Sequence, residues 1–109
     1  MLSNCCVNRF DINKINIVDK NNLKQGPWVE VNHEGDEERI LISLYKNNNL
    51  NGQYREYYVD GTLRGKGKYC NGKRVGRWDF YLENGDLILW KTYDKNGNEL
   101  KIGRISLKW

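Results

Sequence analysis

Proline and histidine are almost absent from the 109-residue chain, with Pro27 and His33 the only examples, and cysteine appears three times, at Cys5, Cys6 and Cys70. One imidazole with no nucleophile in phase with it leaves little material for acid–base or nucleophilic catalysis. Glu30 and Asp79 could come together in space, but nothing in the sequence prepares them for that work. Three cysteines without CxxC spacing fit neither a disulfide framework nor a zinc site, so no metal and no cofactor are expected. The adjacent Cys5 and Cys6 are poorly placed to bridge each other, and the expectation is reduced thiols in the cytoplasm. Leu2-Ser3-Asn4-Cys5 has the look of the end of a lipoprotein signal, but neither a basic nor an apolar stretch precedes it, and no export signal is expected. Apolar runs such as Ile40-Leu41-Ile42 fall far short of the ~20 residues of a spanning helix. A nucleotide fingerprint and a sustained helical period are also missing.

What the chain does contain is glycine, 11 residues, and aromatics, 12% of the total, spread along its whole length. The length suits one domain. Self-similarity is plain: Gly26-Pro27-Trp28, Gly52-Gln53-Tyr54 and Gly76-Arg77-Trp78 recur, and Gly103-Arg104-Ile105 resembles a truncated fourth opening. A second glycine lies seven residues after each aromatic, at Gly35, Gly61 and Gly85, and a tyrosine closes each unit, at Tyr45, Tyr69 and Tyr93. Each unit reads as a β-hairpin. Asp60-Gly61 and Asn84-Gly85 are the dipeptides of type I′ turns, with Glu34-Gly35 a poorer version at the same point. Asn47-Asn48-Asn49, Asn71-Gly72 and Asn96-Gly97 supply turns between hairpins. The expected fold is all-β: a single-layer antiparallel β-meander of hairpin repeats, about eight strands in all. Residues 1–20 hold an N-terminal segment with a capping strand near 12–18. Three repeats follow over 21–98 (21–48, 49–72 and 73–98), and 99–109 form a truncated fourth repeat with a capping strand near 104–109.

The Gly-x-Trp/Tyr openings, the Asn-Gly turns and the stretch Tyr69-Cys-Asn-Gly-Lys-Arg-Val-Gly-Arg-Trp78 resemble MORN repeats, in the variant form of bacterial antitoxin-like proteins. The likeness is specific in unit three, good in unit two and degraded in unit one, and Val75 stands where many MORN units carry histidine. It implies an interaction scaffold, used by proposed antitoxins and immunity proteins and by relatives that bind membranes or partner proteins, with no catalytic apparatus.

Directly opposed residues of an antiparallel pair share a face. With Asn84 and Gly85 as the loop, a first face carries Trp78, Phe80, Leu82, Leu87, Leu89 and Tyr93. The same register in hairpin two adds Tyr54, Tyr58, Leu63, Gly65, Gly67 and Tyr69, with rings covering the strand glycines. The second face gathers Arg55, Tyr57, Val59, Thr62, Arg64, Lys66 and Lys68, then Arg77, Tyr81, Ile88 and Trp90. Arg55 faces Lys66 directly, a like-charge pairing that costs roughly 0.2–1 kcal/mol and that folding alone gives no reason to keep. Arg64, Lys66, Lys68, Lys73, Arg74 and Arg77 fall between positions 64 and 78 without an acidic residue. A solvated face neutralised by Asp79 is the bland alternative. Hairpin one adds Ile40, Ile42 and Leu44, a strip either covered by the N-terminal segment or open to a partner.

The candidate partner-binding residues are therefore Arg55, Tyr57, Arg64, Lys66, Lys68, Arg74, Arg77, Tyr81 and Trp90, types enriched in protein hot spots. The expected function is a non-catalytic, stoichiometric inhibitor: an antitoxin, an immunity protein or a phage-encoded anti-defence protein that occludes a toxin or defence effector. The partner would be a protein with an acidic or phosphate-bearing surface. The alternative is a nucleic-acid binder that uses interleaved basic and aromatic residues, directly or through the partner, against a modest net charge of +4 and the acidic cluster of Glu30, Glu34, Asp36, Glu37 and Glu38. No membrane partner is expected, and open sheet edges leave homodimerisation open.

Overall fold

A computed structural model describes residues 14–105. Eight strands form one antiparallel sheet in strict chain order: β1 (Ile17–Val18), β2 (Lys24–Glu34), β3 (Glu37–Lys46), β4 (Asn49–Tyr58), β5 (Leu63–Cys70), β6 (Lys73–Tyr81), β7 (Leu87–Tyr93) and β8 (Glu99–Arg104). The radius of gyration is 15.1 Å, against about 13 Å for a compact globule of this length, as an open single layer requires. β1 is shorter than the expected strand, and residues 12–13 lie outside the described residues. β8 comes earlier than expected, because a tight turn at 94–98 sends the chain straight back along β7. Of the N-terminal segment expected to cover hairpin one, residues 14–20 do not line the cleft at Ile42 and Leu44, and residues 1–13 lie outside the described residues.

The repeat is built on backbone chemistry. Gly26, Gly52 and Gly76 all adopt positive φ (73°, 118° and 70°), which a side chain would resist. Gly103 does not, so the fourth unit opens differently. The aromatic two residues after each of the three glycines lies on the first face. There Trp28 Nε1 donates to the Ile17 carbonyl and Trp78 Nε1 to that of Lys68, both at 3.2 Å. Trp78 is the best buried apolar side chain, 1% exposed, and lies against Tyr54, Tyr69 and Phe80. Gly67 makes this seat possible, since a Cβ there would fall inside the Trp78 ring. Among the described residues the other buried apolar side chains are Leu44 and Pro27, so half-buried rings carry much of the stability.

Two kinds of turn separate the two ends of the sheet. Asn47-Asn48 and Asn71-Gly72, all at positive φ, are the type I′ turns. At Asp60-Gly61 and Asn84-Gly85 only the glycine has positive φ, which corrects the expected turn type. Tyr58 N–H donates to the Thr62 carbonyl and Gly61 N–H to that of Tyr58, giving a three-residue loop, and residues 82–86 repeat the pattern. The cause is the side chain: Asp60 Oδ1 accepts from Thr62 N–H and Asn84 Oδ1 from Asp86 N–H, holding those residues away from the left-handed region. The longer loop is absorbed by a bulge in each hairpin. Arg64 and Ile88 are the unpaired residues, beyond which the expected register resumes at Glu56↔Gly65 and Phe80↔Leu89.

Tyr45 and Tyr54 make this packing sensitive to alkali. Burial, with Glu30 accepting from the Tyr45 hydroxyl at 3.1 Å, pushes the Tyr45 pKa up to about 12, and burial with the Glu56 carboxylate raises Tyr54 too. A phenol whose folded pKa exceeds its ordinary 10 gives stability that is complete below pH 10 and is lost as pH climbs towards 12. Melting temperature should therefore fall across that interval, with a shallower fall in Tyr45→Phe.

Candidate partner-binding face

One register row crosses the second face of the sheet from β2 to β8: Val29, Ile42, Arg55, Lys66, Asp79, Trp90 and Gly103, each directly opposite the next. The row is apolar, then cationic at Arg55 and Lys66, then acidic at Asp79, then aromatic. Arg55 does stand opposite Lys66, and among the described residues neither has an ion pair or hydrogen bond. Asp79, on the other side of Lys66, is engaged by Arg77, whose Nε donates to Asp79 Oδ1 at 2.8 Å. Four cations, Arg55, Lys66, Lys68 and Arg77, thus share a shallow depression of about 290 Å³ with one carboxylate. The bland neutralisation is only partial.

Next to this depression is a cleft of about 240 Å³ lined by Pro27, Ile42, Ser43, Leu44, Gln53, Arg55 and Tyr57. Gln53 and Arg55 belong to both, so the apolar cleft opens directly onto the cationic patch. Beyond the depression Trp90 lies over Gly103, where a Cβ would collide with its indole, and under the Arg77 guanidinium, 5.1 Å from the ring centre. Tyr81, opposite Leu87, and Tyr57, opposite Leu63, sit towards the hairpin tips. Leu63 and Leu87 were expected on the first face, and the bulges move them to this one.

Two expected contact residues belong elsewhere. Arg64, as the extra residue of its bulge, leaves the alternation and turns to the first face. There it pairs with Glu56, which also accepts from the Tyr54 hydroxyl, and its guanidinium lies 5.8 Å from the Tyr58 ring. Arg74 is likewise on the first face, 4.6 Å from the Trp78 ring, with Nη1 donating to the Tyr93 hydroxyl at 3.3 Å. Burial opposes its charge, but the Tyr93 and Tyr69 hydroxyls outweigh that and its pKa is raised. Arg74→Ala should cost about 2 kcal/mol by loss of the ring contact and the hydrogen bond, measurable by urea denaturation. The matching position of unit one is Lys24, 4.6 Å from the Trp28 ring and paired with Glu30 at 3.3 Å. That equivalence was legible in the repeat. Arg64→Ala should lower stability while leaving partner affinity within twofold, unlike any change at Arg55.

Residues missed in the sequence are Pro27 and Gln53. The signal was there, because Pro27, Gln53 and Arg77 all occupy the middle position of the Gly-x-aromatic opening, between two first-face residues. Cys70, at the end of β5, is disulfide-bonded, which differs from the expected reduced thiol at that position.

No family model matches the sequence, and no curated protein does. A solved structure described as the crystal structure of GtfA/B complex bound to UDP and GlcNAc is similar to this one, with a TM-score of 0.41 and 17% identity over 77% of this chain. The chain spans about a fifth of that protein, 21%, and a likeness of this strength says nothing about activity. Among the described residues no helix is long and apolar enough to cross a membrane, and no group of three or more His, Cys, Asp or Glu is placed to hold a metal ion.

Proposed function

We propose that this MORN-like sheet is a non-catalytic protein-binding module whose second face docks on an acidic surface of a partner effector and inhibits it stoichiometrically. The observation that carries the reading is the Arg55–Lys66 pair: two unpaired cations held side by side at a cost to folding, next to an apolar cleft. A partner carboxylate between them removes that repulsion, so binding gains what folding forgoes. Arginine and tyrosine beside an apolar pocket are the groups that dominate protein interfaces, and positive charge speeds encounter with an acidic target.

The competing reading is nucleic-acid binding. The cationic depression favours it; the apolar cleft that shares Arg55, and Asp79 within the depression itself, favour protein. The test is capture from the native host's lysate, without reductant to preserve the Cys70 disulfide, in nuclease-treated and untreated halves. One dominant protein at equimolar ratio in both halves supports the reading. Capture that vanishes with nuclease makes Arg55, Lys66 and Lys68 phosphate contacts instead.

A further inference from the structure

The cleft and the cationic depression are neighbours at a fixed spacing, and that spacing specifies what lies across them. The cleft centres on β3, with Pro27 on one wall and Gln53, Arg55 and Tyr57 on the other. Arg55 and Lys66 face each other across the β4–β5 boundary, and Lys68 and Arg77 continue the patch to β6. Strands lie about 4.8 Å apart, so across the strands the Arg55–Lys66 pair is roughly 7 Å from the cleft centre and the Lys68–Arg77 pair, one same-side step along the strands from the Arg55–Lys66 row, roughly 12 Å. An extended peptide places successive same-side residues about 6.6 Å apart. Across the strands the two spacings agree to about 1 Å, and a segment crossing on the diagonal with the long Lys68 and Arg77 side chains spans the step along them: an apolar residue in the cleft puts the second residue along over Arg55 and Lys66, and the fourth within reach of Lys68 and Arg77.

Resting on the proposed binding function, we propose that the partner is held through an extended segment crossing the strands, with one apolar anchor and carboxylates two and four residues away on the same side. Complementarity of charge selects this occupant. The cleft takes the apolar side chain, the free Arg55–Lys66 pair takes the first carboxylate, and the second meets Lys68 and Arg77, with Asp79 holding the Arg77 fork in place. A phosphate backbone would place charge at every step, including over the apolar cleft, where it finds only Arg55. A surface loop or terminus of the partner supplies such a segment, and period-2 phasing distinguishes it from general acidity.

Fluorescence anisotropy on the intact protein tests this with labelled heptapeptides of one composition. Ser-Leu-Ser-Glu-Ser-Glu-Ser and its reverse have the predicted phase; Ser-Leu-Glu-Ser-Glu-Ser-Ser and its reverse do not. At least one in-phase peptide should bind tenfold or more tighter than both out-of-phase ones. That preference should disappear in Arg55→Gln/Lys66→Gln, a variant that removes charge without adding a clash, with folding checked by circular dichroism. Equal affinity for all four, binding of none, or an in-phase preference that survives the double substitution overturns the proposal. So does an oligo-dT that binds tighter than every peptide. If the lysate yields an inhibited protein held through this face while the peptides show no phase preference, the segment proposal alone fails. If the peptides show the phase and no protein is inhibited, the inhibitor reading alone fails.

Discussion

Alanine at Gly67 is expected to cost about 3 kcal/mol or more, enough to lower the melting temperature by about 15 °C or to prevent folding. The Trp78 indole lies flat on the backbone at this point, and any Cβ would sit within the ring. The ring cannot move aside easily, because Tyr54, Tyr69 and Phe80 surround it and its Nε1 is tied to the Lys68 carbonyl. A single-layer sheet has few other buried side chains to compensate, and a small domain has only about 5–15 kcal/mol in total. Gly65→Ala provides the graded control. There the nearest Phe80 ring carbon would be 3.3 Å away, so a few tenths of an ångström of movement suffices and the loss should be smaller. Urea denaturation of both variants measures the difference. A Gly67→Ala protein with wild-type stability would contradict the seat described for Trp78.

Arg55→Glu should do two opposite things. Stability should rise by about 0.2–1 kcal/mol, because a like-charge cross-strand pair with Lys66 becomes an opposite-charge one. Partner affinity should fall at least tenfold, because the cation shared by the cleft and the basic depression is replaced by a carboxylate facing an acidic surface. Simple surface residues do not behave this way; a site that gives up stability for binding does. Thermal melts and calorimetric titration of the same preparation read both effects. Lower stability together with unchanged affinity would remove Arg55 from the interface and assign it to the fold.

The repeat was legible in the sequence because its glycines answer a backbone demand. Gly26, Gly52 and Gly76 adopt positive φ, and Gly67 lies under a ring. The Arg55–Lys66 pairing was legible because it lies beyond the point where the bulge restores the register. Near the hairpin tips the reading failed for a local reason. Asp60 and Asn84 bind backbone N–H groups two residues on, the loops gain a residue, and the faces of Leu63, Arg64 and Leu87 change. A dipeptide rule for turns does not carry that competition between side chain and backbone. Arg74 looked like part of a basic run along the chain, whereas its place two residues before Gly76, matching Lys24 before Gly26, puts it among first-face rings.

The central claim is that a protein partner binds the second face through the Arg55–Lys66 patch. Its most direct test is parallel capture from nuclease-treated native lysate with wild-type and Arg55→Glu/Lys66→Glu baits, both verified as folded by their β-rich circular dichroism and read by quantitative mass spectrometry. The account predicts one equimolar protein on the wild-type bait, depleted at least tenfold on the variant. Equal recovery of that protein on both baits would contradict it.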